Sequence, residues 1–585
     1  MAYCAPKQLS VSLPTIVPRI IEVLTDTHHQ VAAAAREALL RFGEVIHNPE
    51  IQELVPVLLG ALDDPANKTD SALRTLLYTA FIHYIDAPSL ALVIPIIQRG
   101  MRARMASTKR NASQIMGSMA TLTDPKDLVP YLDSLVPLLR GVLVDPVPET
   151  RATSAKALGS LVQKLGETQF PTLVADLVKV LKSDASGVDR AGAAQGLSEV
   201  LSGIGMERLE GLVPEILANC NSTRVPVREG FMMLLIYLPV TFGEEFQKFL
   251  PQVIPPVLSG LSDENEQVRD ASLRAGRILV MSYSKTAVDQ LLPELLAGVQ
   301  HESWRIRHSS IELLGEFLFR VAGISGKQAE KEREEARAQF FAVQEGGEDE
   351  DGEGAGENAG EGAGEGDMGS DDEDEEDEMA ISSNLRNILN DNLGADRCNS
   401  VLASLYVARS DVSAMVRQAA FSVWKSIVSH TPRTLRECLP KIMDIVLSGL
   451  SADQYERRTT AARTLGDLVR KLGESIMAEI VPILERALAD QTSGAAGGVR
   501  HGVFIGLSEI LQSAGKSYID VYADAMVPLV RRGLCDEDAM VREAAASAFD
   551  SLQQAVGPSV IDSVVPPLLT ALTMQQGGED AAKDA

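Results

Sequence analysis

One short phrase returns through this chain at an interval near 40 residues: an apolar residue, a proline, any residue, then two apolar residues. It reads VPRIIEVL at Pro18, VPVLLGAL at Pro56, IPIIQRGM at Pro95, VPLLRGVL at Pro137, VPEILANC at Pro214, IPPVLSGL at Pro255 and LPELLAGV at Pro293. After an interruption it resumes as LPKIMDIVLSGL at Pro440, VPILERAL at Pro482, VPLVRRGL at Pro528 and VPPLLTAL at Pro566. Successive prolines lie 38, 39, 42, 77, 41 and 38 residues apart in the first block and 42, 46 and 38 in the second. The interval of 77 covers two units, with Phe170-Pro171 between them. A regular unit that cannot bury its own apolar face must stack on copies of itself, so the repeat dictates an extended array.

Leu250 to Val280 shows what one unit contains. Val253, Ile254, Val257, Leu258 and Leu261 fall at helical spacing, and Ser262-Asp263-Glu264-Asn265 offers short polar caps for a turn. A second helix from Val268-Arg269 presents Ala271, Leu273, Ala275, Ile278 and Leu279 for burial. A second mark runs in phase. Asp and Arg stand six apart at Asp145/Arg151, Asp184/Arg190, Asp263/Arg269, Asp411/Arg417 and Asp536/Arg542, with Asp in the turn and Arg in the first turn of the second helix. Two helices per unit, a period near 40 and this Asp/Arg mark are the HEAT signature. The fold class is therefore all-α, a right-handed α-solenoid of about a dozen HEAT or armadillo-type units interrupted by one disordered acidic loop. Equivalent Asp and Arg of stacked units are expected to pair in a buried structural ladder rather than to catalyse, because they have no nucleophile to serve.

Four segments follow from this reading. Residues 1–326 hold about eight units, with second helices over Val31–Val45, Ser71–Tyr84, Lys109–Thr121, Arg151–Leu165, Asp189–Leu201, Val227–Pro239, Val268–Ser282 and Arg305–Val321. Met1 to Ser10 reads as the tail of a second helix and a loop into Leu13-Pro14, so the array is expected to begin mid-repeat in a piece of a longer protein. Residues 327–380 form a charged linker whose Glu/Asp/Gly run cannot bury enough apolar surface to fold. Residues 381–574 carry four to five more units, with second helices over Val416–Ser429, Arg458–Leu472, Val499–Gln512 and Met540–Gln554, and 575–585 is a polar tail. The net charge is -27, but 345–378 contains 18 acidic residues and no Lys or Arg; without those charges the rest carries -9. That disfavours nucleic-acid binding by net charge alone. The run itself reads as a tolerated insertion or as an electrostatic tether for a basic partner such as a ribosomal protein.

Several function classes lack their residues. No phosphate-binding loop, zinc-protease, serine-hydrolase or kinase motif occurs, and nothing supports a nucleophile, a metal or a cofactor. DRAGAAQGLSEVLSGIG is glycine-rich, but it lies in a helical pattern with no preceding strand. Its Ala191, Ala193, Ala194 and Gly196, like Ala155, Ala157 and Gly159, serve close helix approach. Cys4, Cys220, Cys398, Cys438 and Cys535 are scattered, which fits a reducing compartment. The longest apolar run, Phe231 to Val240, is ten residues, too short to span a bilayer, so no membrane or small-molecule partner is expected. Two basic clusters are the contact candidates: Arg99, Arg102, Arg104, Lys109 and Arg110 around one turn, and Arg433, Arg436, Arg457, Arg458, Arg463, Arg470 and Lys471 over two units. They meet phosphates or acidic partners, or simply solvate the outside of a solenoid.

Longer phrases go beyond the repeat consensus: FIHYIDAPSLALVIPIIQR (81–99), LTDPKDLVPYL (122–132), DPVPETRATSAKALGSLV (145–162), DRAGAAQGLSEVLSGIG (189–205), YLPVTFGEEF (237–246), SDENEQVRDASLRAG (262–276), TPRTLRECLP (431–440) and AARTLGDLVRKLGE (461–474). In these the chain resembles the large HEAT-repeat translational activators of the general amino-acid control pathway, the general control non-derepressible protein one family. The resemblance covers nearly the whole chain apart from the acidic insert. It implies a cytosolic, ribosome-associated, non-enzymatic scaffold from the later central part of a much longer protein. It also implies binding to the RWD domain of the kinase that phosphorylates the alpha subunit of initiation factor two, with a ribosomal RNA phosphate contact as a further expectation. A karyopherin-type transport receptor, or a phosphatase- or tubulin-binding HEAT scaffold, is the alternative reading.

Overall fold

The computed structural model describes residues 6–323, 385–428, 430–473, 476–489, 496–513 and 526–557, with a few positions beyond them. The chain divides into two compact units, Met1–Ser282 and Tyr283–Ala585. The expected linker 327–380 and the tail 575–585 lie outside the described residues.

Each unit is a stack of helix pairs. In the first they are Pro6–Val23 with His29–Gly43, Pro49–Asp63 with Pro65–Tyr78, Ala87–Met101 with Ala106–Thr121, and Leu132–Leu143 with Pro148–Leu165. Leu173–Leu181 with Gly187–Ile204, Met206–Cys220 with Val225–Phe242, and Leu250–Gly260 with Glu266–Tyr283 complete it. The second unit pairs Val288–Val299 with Trp304–Val321, Ala395–Ala408 with Ala414–Ile427, Thr431–Leu450 with Tyr455–Leu472, and Met477–Ala489 with Ala496–Ser513, then closes on Ala539–Val556. Among the described residues there is no strand, only one isolated bridge between Ile85 and Thr123. The chain is an all-α solenoid.

The local causes are visible in the pair Leu250–Gly260 and Glu266–Tyr283. The first helix buries Leu250, Val253, Ile254 and Val257 on one stripe. In the turn, Asp263 Oδ1 accepts from the Asn265 N–H at 2.9 Å, and Asn265 Oδ1 accepts from the Gln267 N–H at 2.9 Å. These bonds satisfy donors that a helix start leaves open. The second helix buries Val268, Ala271, Ala275 and Leu279. Leu273 and Ile278, expected inside, are half-buried because they flank the stripe rather than centre it.

Stacking depends on small residues on the second helices. At Gly192, a Cβ would overlap the carbonyl oxygen of Leu143, the end of the preceding unit's first helix. Gly502 stands in the same relation to Leu450. The glycine-rich run 189–205 is thus a packing device, and its helix Gly187–Ile204 buries Gly192, Ala193, Ala194 and Gly196. Val225–Gly260 is long and apolar enough by composition to cross a membrane. Its Phe231, Met232, Leu234 and Leu235 form the core between repeats.

Two expectations need correction. Pro6–Val23 is one unbroken helix containing Pro14 and Pro18, with no loop into Leu13-Pro14. Leu13 and Val17 are fully buried while Pro18 is exposed, so the backbone carbonyls that lose a proline partner face outward, where water can serve them. The second helix expected over Ser71–Tyr84 is Pro65–Tyr78, and residues 79–86 are not helical. The helix ends where Thr79 turns extended, its Oγ1 donating to the Thr75 carbonyl at 2.8 Å. Across the acidic run, Arg307 before it pairs with Asp411 after it at 2.8 Å, as neighbouring repeats on either side of an inserted loop would.

Candidate functional site

The Asp and Arg of one turn do separate jobs. Arg151, Arg269, Arg417 and Arg542 each donate from Nη1 to the carbonyls five and six residues back, at 2.7 to 3.0 Å. Each Arg thereby ties the turn to the helix that follows. The Asp accepts from the N–H two residues on at Asp145, Asp263, Asp411 and Asp536, at 2.8 to 3.0 Å. It also receives a cation from the preceding unit: Lys109 for Asp145 at 2.7 Å, Arg228 for Asp263 at 2.6 Å, Arg307 for Asp411 at 2.8 Å and Arg500 for Asp536 at 2.7 Å. Rungs between units exist, but at these four Asp residues the cations are not the expected arginines. Asp184 is exposed and pairs forward with Arg224 at 2.8 Å, while buried Arg190 pairs with Glu229 of the next unit.

Sequence reasoning missed Arg228, Arg307 and Arg500 because the residue six positions before each is Ser222, His301 and Gly494 in turn, and never Asp. The signal was their place in the repeat, not a neighbouring acid. Burial opposes ionisation of Asp145, Asp263 and Asp536. The hydrogen bonds from Lys109, Arg228 and Arg500 outweigh it and hold all three carboxyls below the usual range.

The basic clusters separate into used and free members. In the first, Lys109 is spent on Asp145, and half-buried Arg99 donates to the Ala61 carbonyl at 3.3 Å. Burial lowers the Arg99 guanidinium from its ordinary value. Arg102, Arg104 and Arg110 are exposed. In the second, Arg458 is buried and ties its own turn through the Ala452 and Asp453 carbonyls, both at 2.7 Å. Arg433 pairs with Glu437 at 3.2 Å and Arg457 is half-buried. Arg436, Arg463, Arg470 and Lys471 are exposed. Arg463 and Arg470 are seven apart on one helix, two turns along one face.

Among the described residues no three His, Cys, Asp or Glu converge as metal ligands would. Cys220, Cys398 and Cys438 are buried and Cys535 is exposed.

The family description "Elongation factor 3/GNC1 HEAT repeat" matches residues 67–172, "EF3 N-terminal HEAT repeat" matches 1–39 and 190–322, and "HEAT repeat" matches 526–556. The chain is 45% identical over 583 residues, 99% of its length, to the stalled ribosome sensor GCN1 of Mus musculus. The chain belongs to the GCN1 family. It spans 20% of that relative, and likewise 20% of the eIF-2-alpha kinase activator GCN1 of Saccharomyces cerevisiae, to which it is 44% identical over 581 residues. Among solved structures, the karyopherin Kap121p bound to the SUMO protease Ulp1p aligns with 97% of this chain and 73% of that one. Its identity is 14% and its TM-score 0.36, too low to carry an argument about partners.

Proposed function

We propose that this chain is a non-enzymatic scaffold of translational control, part of a GCN1-family surface that holds ribosomes and an initiation-factor-two-alpha kinase together in the cytosol. The observation behind this is the identity of 45% over 99% of the chain to a protein named as a stalled ribosome sensor, together with the yeast relative named as a kinase activator. The mechanism is positional. An array holding two partners raises their effective concentration for each other without forming or breaking a bond.

The exposed arginines and lysine give this reading a contact chemistry. Exposed Arg102, Arg104 and Arg110 at one turn, and exposed Arg463, Arg470 and Lys471 on one second helix, are the residues this reading assigns to ribosomal RNA phosphates. Arg99, Lys109 and Arg458 are left out of this reading because their side chains are engaged within the protein. Co-sedimentation with purified ribosomes across a salt series tests it. The expected result is pelleting that weakens steeply with salt and weakens further in R102E/R104E/R110E. Pelleting that is absent at low salt, or unchanged in that variant, refutes the phosphate contact by these residues. Contact with the kinase RWD domain is tested separately, by pull-down with the purified domain.

A further inference from the structure

The connection 79–86, which sequence reasoning assigned to a helix, lies on the edge of the stack opposite the Asp/Arg turns. It is not loose. Asn48 Nδ2 donates to the carbonyls of His83 and Tyr84 at 3.2 and 3.1 Å. The Ile85 N–H donates to the Leu122 carbonyl at 3.0 Å, and His83 Nδ1 lies 2.6 Å from Glu50 Oε1. Tyr84 Oη donates to Asp127 at 3.0 Å and accepts from the Asp124 N–H at 3.2 Å. Units on both sides therefore fix its backbone.

On this fixed frame stand large side chains that the described residues leave more than half exposed. Tyr78 is 86% exposed, Ile82 77% and Tyr84 51%. Exposed apolar groups on a fixed backbone are pre-organised for contact, because no loop-ordering entropy remains to be lost on binding. The surrounding charge indicates the partner. Glu50, Asp86, Asp124 and Asp127, each half-buried and bonded within the protein, hold or flank the connection, and they outnumber exposed Lys126 and Arg74, the latter paired with Asp70 at 2.9 Å. An excess of carboxylates repels nucleic-acid phosphates and attracts lysine and arginine.

We propose that Tyr78 and Ile82, with the carboxylates around them, form a docking surface for a basic protein segment that also carries apolar side chains. This surface is distinct from the arginine clusters and does not depend on their contacting RNA. Its apolar centre and charged rim follow the anatomy of a protein–protein contact.

The test uses the full chain and three fluorescent probes: an 18-residue leucine–lysine peptide, its leucine–glutamate counterpart, and an 18-nucleotide single-stranded RNA. Anisotropy titrations compare the chain with Y78S/I82S. The parallel binding of the lysine peptide to the acidic run is subtracted by repeating both titrations with residues 345–378 replaced by an equal length of Gly and Ser. The expected result is binding of the leucine–lysine peptide that weakens at least about tenfold in the variant, with little binding of the glutamate peptide. A photoreactive version of the lysine peptide is expected to label residues 78–86. An unchanged melting temperature shows that Y78S/I82S is folded. Equal affinity for both proteins, labelling confined to 345–378, no binding of the lysine peptide, or RNA binding lost in the variant each overturns the proposal.

Discussion

Arg307 offers the sharpest test of how this array is held together. Its Nε and Nη2 donate to Asp411 at 2.8 and 3.0 Å, and Nη1 donates to the His301 and Glu302 carbonyls at 3.0 and 2.7 Å. The side chains of Arg307 and Asp411 are 6% and 4% exposed, so solvent screens the pair little. Replacing Arg307 by Ala strands a buried carboxylate and two turn carbonyls. Breaking a buried pair from one side costs about 3–5 kcal/mol. The Ser413 N–H still donates to Asp411, which favours the lower end. Repeat arrays open by neighbouring segments, so amide hydrogen exchange in Trp304–Val321 and Ala414–Ile427 is the appropriate assay. A loss of about 3 kcal/mol appears there as roughly a hundredfold faster exchange. R307A/D411A removes both charges and is expected to recover part of that loss. As a control, R224A breaks the exposed pair with Asp184 and changes stability by about 1 kcal/mol or less. The reasoning is refuted if R307A exchanges like wild type, or if the double variant loses the sum of the two single losses.

Other outcomes follow from the same structure. G502A forces a Cβ onto the Leu450 carbonyl and is expected to destabilise by about 1–3 kcal/mol, whereas G141A, in a helix with open space around it, is expected to stabilise by about 1 kcal/mol; denaturant titration checks both. Burial, then Arg458, lowers the His501 pKa from its ordinary value, so folding favours the neutral ring. That contribution is complete above about pH 6.5 and is lost as pH falls from there toward the lowered folded value, so melting temperature is expected to drop less in H501Q over that window. The carboxyls Asp145, Asp263 and Asp536 have lowered folded values, so their contribution is present above about pH 3.9 and is lost only as pH falls through those lower values; acid titration of D263N against wild type measures it. Among the described cysteines, Cys535 is expected to react with a thiol reagent in the native protein. Cys220 and Cys438, buried with thiols pushed up to about 12, react only on unfolding.

Much of the fold was written in local pattern. Apolar spacing gave the second helices to within a few residues, as at Arg151–Leu165 against Pro148–Leu165 and Arg305–Val321 against Trp304–Val321. It failed at Ser71–Tyr84, where FIHYI has apolar side chains at usable spacing. The contacts that hold those residues in a non-helical connection come from Asn48 and Glu50 on one side and Leu122 on the other. No window of sequence around residue 80 contains them.

The contact candidates show the same division. A list of charges cannot tell Arg102 from Lys109, or Arg463 from Arg458. One member of each pair is exposed, while the other is held by Asp145 or by its own turn. By itself, the sequence determined the repeat, its two-helix unit, the all-α class and the family, because these depend on residue types at short, regular spacing. Tertiary structure alone decided which cation meets which Asp, which arginines remain free, and where apolar side chains stay uncovered. Those outcomes depend on the register of one unit against the next, which brings together residues some 35 positions apart, or 104 where the insertion intervenes.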